Sequence, residues 1–224
     1  TTKLLELMVE KQSNLICSAD VDTVEELLIL ADQVGPEIVM LKTHLDGMIE
    51  MLTLAQIDQL KTLAQKHKFL ILEDRKFADI GSTLQRQLTG YHKMNEWVDA
   101  ITCVPIFGSG TLEAFKKLNG PNNDIAIAFK IPAIFPVAQA SSQGNLMDAT
   151  YTKRVCEMVK LYPNLVAGLV SQKRLLSDNF LHLTPGVHLV RKKDGMDQRY
   201  RTVEDAFQSG SDLIIVGRGI YASD

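Results

Sequence analysis

The segment ILEDRKFADIG, residues 71–81, carries an apolar run into a cluster of opposed charges. Five of the seven residues that follow Leu72 are charged, namely Glu73, Asp74, Arg75, Lys76 and Asp79. Carboxylates beside ammonium groups perform acid–base and electrostatic chemistry when a cleft holds them together. A solvated turn with surface ion pairs is the simpler interpretation. It is favoured while the segment is considered alone, because most charge clusters face water.

Polar side chains also follow the other apolar runs of the chain. Lys42 is the most informative, because a lysine that ends an apolar strand must point into a polar pocket or lose its hydration. Asp74 and Lys76 are two positions apart, so strand alternation directs both to one side, whereas Asp79 lies beyond the turn. Two acids and two lysines from three strands, with an arginine from a fourth, predict one functional site. The residues at predicted strand ends are Asp20, Lys42, Asp74, Lys76, Gln139 to Ser142, Ser171, Pro185, Gly186 and Arg218.

The segment VGRGI, residues 216–220, has the residue types of a phosphate site. Gly217 and Gly219 flank Arg218, so exposed backbone N–H groups and a guanidinium lie together at the end of the last predicted strand. Barrels of alternating strands and helices often bind phosphate after their seventh and eighth strands. The preceding polar loop, residues 188–202, is a candidate lid, although its basic residues are equally consistent with a solvated surface.

The elements that must position these residues are short apolar runs that alternate with amphipathic segments of helical length. Eight such runs in 224 residues predict parallel βαβ units and one (β/α)8 barrel domain, residues 1–224. An open doubly wound sheet is the alternative, but no GxGxxG motif follows the first run. The last strand is predicted to end at Gly219, which leaves out the helix that normally closes such a barrel. The predicted strands are residues 15–20, 37–42, 69–74, 99–104, 134–139, 165–171, 180–186 and 212–219. Between the third and the fourth of them, residues 82–97 are predicted to form one helix.

Composition excludes several classes of protein. The chain is 46% hydrophobic and 23% charged, as soluble globular proteins are. Its formal net charge of −3 gives no basic surface for nucleic acid, and no apolar run reaches the roughly 18 residues of a membrane span. Cys17, Cys103 and Cys156 form no CxxC pair. We therefore expect neither a disulfide framework nor a structural zinc site, and we predict a cytoplasmic protein with Cys17 and Cys103 in its core.

These motifs resemble the orotidine 5′-monophosphate decarboxylase family, in particular its fungal members and the decarboxylase part of animal UMP synthase. The similarity runs through nearly the whole chain, from NLICSADV at 14–21 and LKTHLD at 41–46 to LTPGV at 183–187 and QRYRT at 198–202. Its most specific block is DRKFADIG, residues 74–81. The resemblance implies a barrel enzyme that converts orotidine 5′-monophosphate to UMP without a metal or other cofactor.

The resemblance assigns the charged cluster to catalysis. It implies that Lys76 protonates C6 of the pyrimidine as carbon dioxide leaves and that Asp74 lies beside the substrate carboxylate. Lys42 is implied to hold Asp74 ionised and to contact the ribose. A homodimer is also implied, in which Asp79 and Thr83 reach into the partner's site. A lysine held between two aspartates is a preorganised cation for the negative charge that develops at C6.

The other matching positions divide by the part of the substrate that each is implied to contact. In the segment AQASSQG a shift by one residue makes Ser142 the alternative to Ser141, because Gln139 stands where relatives often have glutamate. The segment CVPIFGSGT, residues 103–111, also departs from the family pattern. The implied ribose contacts are Asp20, Thr43 and His44, the base contacts are Ile80, Ser141 and Pro185, and the phosphate contacts are Gln198, Tyr200, Gly217 and Arg218.

Two rival interpretations fit the same barrel. A metal-dependent sugar-phosphate decarboxylase or aldolase shares the Asp-x-Lys pair and the phosphate end, but it needs a carboxylate-bound divalent ion. A catalytically inactive barrel that binds nucleotides or partners is the second. Such a protein is expected to have lost some of the four charged residues Lys42, Asp74, Lys76 and Asp79, and all four are present.

Overall fold

The computed structural model describes residues 1–118, 132–177, 179–189 and 200–222. Its strands are β1 (Leu15–Ala19), β2 (Met40–Thr43), β3 (Leu70–Phe77), β4 (Ala100–Cys103), β5 (Ala133–Pro136), β6 (Gly168–Val170), β7 (Leu181–Thr184) and β8 (Leu213–Val216). They form one sheet in the order β5-β4-β3-β2-β1-β8-β7-β6, and every pairing in it is parallel. Each of the eight predicted strands is confirmed, with ends that differ by a few residues.

The sheet closes on itself between β5 and β6. Two isolated parallel bridges, Ile134 to Val166 and Val137 to Val170, join these strands. The backbone N–H of Ala138 also donates to the carbonyl oxygen of Val170 at 2.9 Å. Closure pairs the two edges that an open sheet would leave exposed. The predicted (β/α)8 barrel is therefore confirmed, and the alternative of an open sheet is excluded.

Helices surround this barrel, and several begin at capping boxes that the sequence encodes. Thr23, Thr53 and Thr202 each accept a hydrogen bond from the backbone N–H three residues later, and the side chain at that position bonds back. None of the helices in the described ranges is long and apolar enough to cross a membrane. The helices are α1 (Thr2–Lys11), α2 (Val24–Val34), α3 (Leu54–His67), α4 (Gly81–Thr89), α5 (Met94–Trp97), α6 (Gly110–Lys117), α7 (Ala149–Val159), α8 (Val203–Gln208) and α9 (Arg218–Tyr221).

The region predicted as one helix over residues 82–97 is two helices, α4 and α5. The break falls at Gly90, whose ψ of −136° is far from helical. A Cβ atom there would lie 2.5 Å from the carbonyl oxygen of Arg86, so only glycine fits where the chain leaves α4. Lys93 then takes a left-handed conformation before α5.

Strand β8 ends at Val216 rather than at the predicted Gly219. Gly217 leaves the extended conformation, with φ −109° and ψ −100°, and Arg218 begins the short helix α9. The GRG tripeptide is therefore a strand-to-helix turn. This turn lies at the carboxyl end of β8, where barrels often bind phosphate.

Alternating side chains divide the core into two layers. Ile16, Met40 and Leu72 face the barrel interior. Leu4 and Leu7 of α1 close this interior at the amino ends of the strands. The intervening residues pack against the helices, among them Cys17, Leu41, Ile71 and Cys103. Burial of one such aliphatic side chain stabilises the fold by about 1.5–3 kcal/mol. Cys17 and Cys103 are fully buried, as predicted.

Candidate active site

A cavity of about 350 Å³ opens at the carboxyl ends of the barrel strands. This is the end at which barrels of this class place their functional groups. Most of the site residues predicted from the sequence line it, although they come from distant parts of the chain. They are Asp20, Lys42, His44, Asp74, Lys76, Ser141, Pro185, Tyr200, Gly217 and Arg218.

Asp74 is the centre of the charged network. Its Oδ2 atom accepts from Lys42 Nζ and from Lys76 Nζ, each at 2.9 Å. Burial of the carboxyl acts to raise its pKa, but Lys42, a hydrogen bond from His44 and the charge of Lys76 outweigh burial and hold the pKa well below its usual range. Asp74 is therefore an anion although it is only 9% exposed.

His44 links two carboxylates in this network. Its Nδ1 lies 2.6 Å from Asp20 Oδ1, and its Nε2 lies 3.0 Å from Asp74 Oδ2. Burial acts to lower the pKa of the imidazole, but the hydrogen bonds to Asp20 and Asp74 outweigh it and raise the pKa. Both ring nitrogens can then donate, which is the arrangement of an imidazolium. The sequence did not predict that His44 contacts Asp74.

Lys76 lies in an interruption of β3. The pairing of β3 with β4 shifts between Glu73 and Phe77, and Lys76 adopts a left-handed backbone with φ 56°. Such a conformation costs a residue with a Cβ about 1–3 kcal/mol and is concentrated at functional sites. Simple strand alternation predicted the side of Lys76 correctly, but a bulge directs its side chain to Asp74.

Thr43 is buried on the opposite face of β2 from Lys42 and does not line the cavity. Its hydroxyl donates to Glu73 Oε2 at 2.6 Å, and the backbone N–H of Leu45 donates to Glu73 Oε1 at 3.2 Å. The position of Thr43 as a direct ribose contact is not supported by this geometry. Adjacent residues of a strand face opposite sides, and Lys42 already takes the inner side.

Glu73 is a fully buried acid of the charged cluster that was not predicted as a site residue. Burial raises its pKa to about 7, against the opposing effect of the hydrogen bonds from Thr43 and Leu45. His44 and Asp46 are the charged groups that act on it. In the folded protein the carboxyl group is therefore held near the midpoint of its titration at neutral pH.

We expect Glu73 to weaken the fold as pH rises. Its folded pKa of about 7 exceeds the ordinary 4.5, so its contribution is fully present below about pH 4.5 and is lost as pH rises through about 7. The variant Glu73→Gln cannot ionise. The unfolding free energy of Glu73→Gln minus that of the wild type should therefore increase by on the order of 3 kcal/mol between pH 5 and pH 8.

Urea unfolding at several pH values measures this difference. The matched control is Glu6→Gln, which changes an exposed glutamate on α1. It gives the effect of the same exchange at a position that is not buried. A difference between Glu73→Gln and the wild type that does not change with pH would show that Glu73 does not titrate in this window.

Besides Thr43, three predicted site residues lie outside their own chain's cavity. Asp79 is half-buried at the β3–α4 turn, where its carboxylate accepts from the backbone N–H of Ile80 at 2.8 Å and from Gln87 at 3.4 Å. Ile80 is 47% exposed, and Thr83 is exposed on the first turn of α4. None of the three is among the described residues that line the cavity.

Arg218, Tyr200 and Gly217 line the cavity on the side of β8. The guanidinium of Arg218 lies 5.7 Å from the centre of the Tyr200 ring, within the range of a cation–π contact. A Cβ atom at Gly217 would approach Asp20 and Ser18 at 3.4 Å. Gln198 and most of the candidate lid lie outside the described residues.

Several residues that line the cavity were not predicted as site residues. Thr102 of β4 is the most significant, because its hydroxyl donates to Asp74 Oδ1 at 2.6 Å. Ser18 donates to both oxygens of Asp20 at 2.9 Å. Ser18 and Thr102 each lie two residues before the predicted end of their strand, at Asp20 and Val104. Every second residue of a strand faces the same side, so strand alternation could have identified both. Ser141 and Ser142 both line the cavity, so both alternatives stay open.

A closed eight-stranded barrel with a charged cavity at the carboxyl ends of its strands is typical of barrel enzymes. The chain belongs to the Orotidine 5′-phosphate decarboxylase / HUMPS family, whose model matches residues 13–224. Among the described residues no group of three or more His, Cys, Asp and Glu side chains is arranged to hold a metal ion.

Individual relatives agree with the family. Orotidine 5′-phosphate decarboxylase of Maudiozyma exigua is 40% identical over 225 residues, which cover 98% of this chain and 82% of that protein. Uridine 5′-monophosphate synthase of Bos taurus is 40% identical over 224 residues, 99% of this chain and 45% of that longer protein. The crystal structure of orotidine 5′-phosphate decarboxylase from Pyrococcus horikoshii OT3 covers 93% of this chain, and the chain covers 91% of it, with a TM-score of 0.64. At 20% identity the last likeness shows the fold.

Proposed function

We propose that this protein decarboxylates orotidine 5′-monophosphate to UMP, a step of pyrimidine synthesis, without a cofactor. The observation that carries the proposal is Asp74 Oδ2, which accepts from Lys42 and Lys76 at 2.9 Å in a cavity that also contains Arg218. The cavity thus offers both a fixed charge network and a guanidinium. The activity named for the relatives needs both, because its substrate carries a carboxylate and a phosphate.

Lys76 supplies the cation and the proton. When the bond from C6 to the carboxylate breaks, the electron pair stays on C6 and carbon dioxide leaves. Lys76 donates a proton to C6, becomes a neutral amine and regains a proton from solvent. Its side chain is 49% exposed, so the ammonium group is accessible to substrate and water. A cation already in place stabilises the developing charge without reorganisation in the transition state.

Asp74 lies beside the substrate carboxylate in this proposal. Two neighbouring anions repel each other, and the repulsion disappears as carbon dioxide leaves. Asp74 stays ionised because Lys42, His44 and Lys76 all contact the same carboxylate oxygen. Lys42 is 5% exposed and lies 3.7 Å from Asp20, so it connects the reacting end to the ribose region.

The other lining residues hold the rest of the substrate. Asp20 and His44 bind the ribose hydroxyls, and Pro185 with Ser141 or Ser142 contacts the base. Arg218, Tyr200 and the backbone of Gly217 hold the phosphate, together with Gln198. An arginine and backbone N–H groups at a strand-to-helix turn bind a phosphate dianion well.

We also propose a homodimer in which Asp79 and Thr83 complete the partner's site. Both lie outside their own cavity, on a surface that exposes Ile80 at 47%. The adjacent β4–α6 loop exposes Ile106 at 61% and Phe107 at 65%. Large apolar side chains that cluster on a surface mark an interaction site. A second copy related by two-fold symmetry would cover this face on both chains.

A decarboxylation assay tests the proposal. Purified protein should remove the ultraviolet absorbance of orotidine 5′-monophosphate, and the rate should not change when EDTA is added. Loss of activity with EDTA and its return with a divalent ion would favour the metal-dependent rival instead. Absence of turnover with intact substrate binding would favour an inactive binding barrel.

The redox state of the cysteines supports the predicted location. All three are free thiols, and Cys17 and Cys103 are buried. Unpaired cysteines are typical of a reducing compartment. We therefore place the reaction in the cytoplasm.

A further inference from the structure

One hydroxyl group, that of Thr102, contacts both halves of the catalytic pair. It donates to Asp74 Oδ1 at 2.6 Å and accepts from the backbone N–H of Lys76 at 3.1 Å. Thr102 is 1% exposed and lies in the middle of β4. Few other groups can take its place, because the site requires one donor and one acceptor on the same atom.

The contact with Lys76 repairs the interruption of β3. The regular pairing of β3 with β4 joins Glu73 to Ile101 and resumes only at Phe77 with Cys103. The N–H of Lys76 lies inside this gap, where the backbone of β4 does not receive it. A buried N–H without an acceptor costs about 1–3 kcal/mol. The Thr102 hydroxyl is the acceptor, so it stabilises the left-handed backbone that aims Lys76.

The contact with Asp74 fixes which carboxylate oxygen faces the cations. Oδ1 is bonded to Thr102, and Oδ2 alone receives Lys42, His44 and Lys76. Rotation of the carboxylate would break the Thr102 bond. A short hydrogen bond from a hydroxyl to a carboxylate is charge-assisted and about twice as strong as a neutral one.

We propose that Thr102 is a positioning residue that sets the geometry of Asp74 and Lys76 together. The inference rests on the proposed decarboxylase function. Thr102 acts through these two residues and supplies no proton itself. It follows that loss of the hydroxyl should affect the chemical step much more than substrate binding, because the phosphate and ribose contacts are left in place.

The variant Thr102→Val tests this, since valine has the shape of threonine without the hydroxyl. We expect kcat to fall about 10- to 100-fold, with KM within about threefold of the wild-type value. Thr102→Ser keeps the hydroxyl and should retain kcat within about threefold. The control Thr152→Val removes another buried hydroxyl, that of Thr152 on α7. This hydroxyl donates to the carbonyl oxygen of Ala138 at 3.0 Å. Thr152→Val should lower stability without lowering kcat.

Several outcomes would overturn the proposal. They are a Thr102→Val kcat within about twofold of wild type, a rise in KM alone, or equal losses in Thr102→Val and Thr102→Ser. If Thr102→Val does not fold, Thr102→Ala replaces it under the same criteria.

A second measurement separates this proposal from the proposed function. The Asp74 carboxyl can be followed by ¹³C NMR without substrate, and its titration should move to higher pH in Thr102→Val. An inactive wild type would refute the decarboxylase function, whereas an unmoved Asp74 titration would refute the role of Thr102.

Discussion

Replacing Lys76 by alanine is expected to lower kcat by at least ~10²–10³-fold, the usual effect of removing one preorganised group. Binding should weaken far less, because in the proposed mechanism Lys76 acts mainly while charge develops at C6. Its Nζ atom contacts Asp74 Oδ2 at 2.9 Å, and the cavity of the variant keeps Arg218. Steady-state kinetics with orotidine 5′-monophosphate, together with the affinity for UMP, measure both effects.

The control for this variant must account for the left-handed backbone of Lys76. Lys68 has the same conformation, with φ 55° against 56°, and lies at the end of α3 away from the cavity. Lys68→Ala should therefore show how much stability changes when alanine replaces a left-handed lysine, without a fall in kcat. A Lys76→Ala protein that keeps more than about a tenth of the wild-type kcat would refute the assignment of Lys76 as proton donor.

Mixing two inactive variants, Lys76→Ala and Asp79→Ala, is expected to restore activity to about a quarter of that of the wild type. Random exchange makes about half of the dimers mixed, and each mixed dimer has one site with both lesions and one with neither. This result follows only if Asp79 serves the partner's site. Its position outside its own cavity is the structural basis for the expectation.

A matched mixture provides the control. Asp74 and Lys76 are in direct contact within one chain, so every site of a Lys76→Ala and Asp74→Ala mixture carries a lesion. That mixture should stay inactive. Mass spectrometry of differently tagged subunits verifies exchange in both mixtures. If exchange occurs and the Asp79 mixture also stays inactive, Asp79 does not act across an interface.

The barrel and the composition of its cavity could be predicted from the sequence alone. Fully buried parallel strands have continuous apolar runs, so all eight were visible without tertiary information. The carboxyl ends of parallel strands meet at one face, which brings Asp20, Lys42, Asp74 and Arg218 together however far apart they lie in the chain. The resemblance added the role proposed for each residue, and the chain's membership of the family is confirmed.

The tertiary structure decided what depends on register and on contacts between distant residues. The helix predicted over residues 82–97 is broken at Gly90, where the chain turns so close to the carbonyl oxygen of Arg86 that only glycine fits. Thr43 faces Glu73 rather than the cavity, because adjacent residues of β2 point to opposite sides and Lys42 takes the inner one.

The interruption of β3 is the clearest feature that the sequence alone could not predict. Nothing in the segment 71–81 indicates that Lys76 takes a positive φ, since a left-handed lysine is unfavourable by its local preferences. The conformation is stable because Thr102, 26 residues later in the chain, accepts the N–H of Lys76 and donates to Asp74. The sequence determined which charged residues meet in the cavity. The packing of β4 against β3 decided how they are aimed, because that geometry depends on a hydrogen bond between strands.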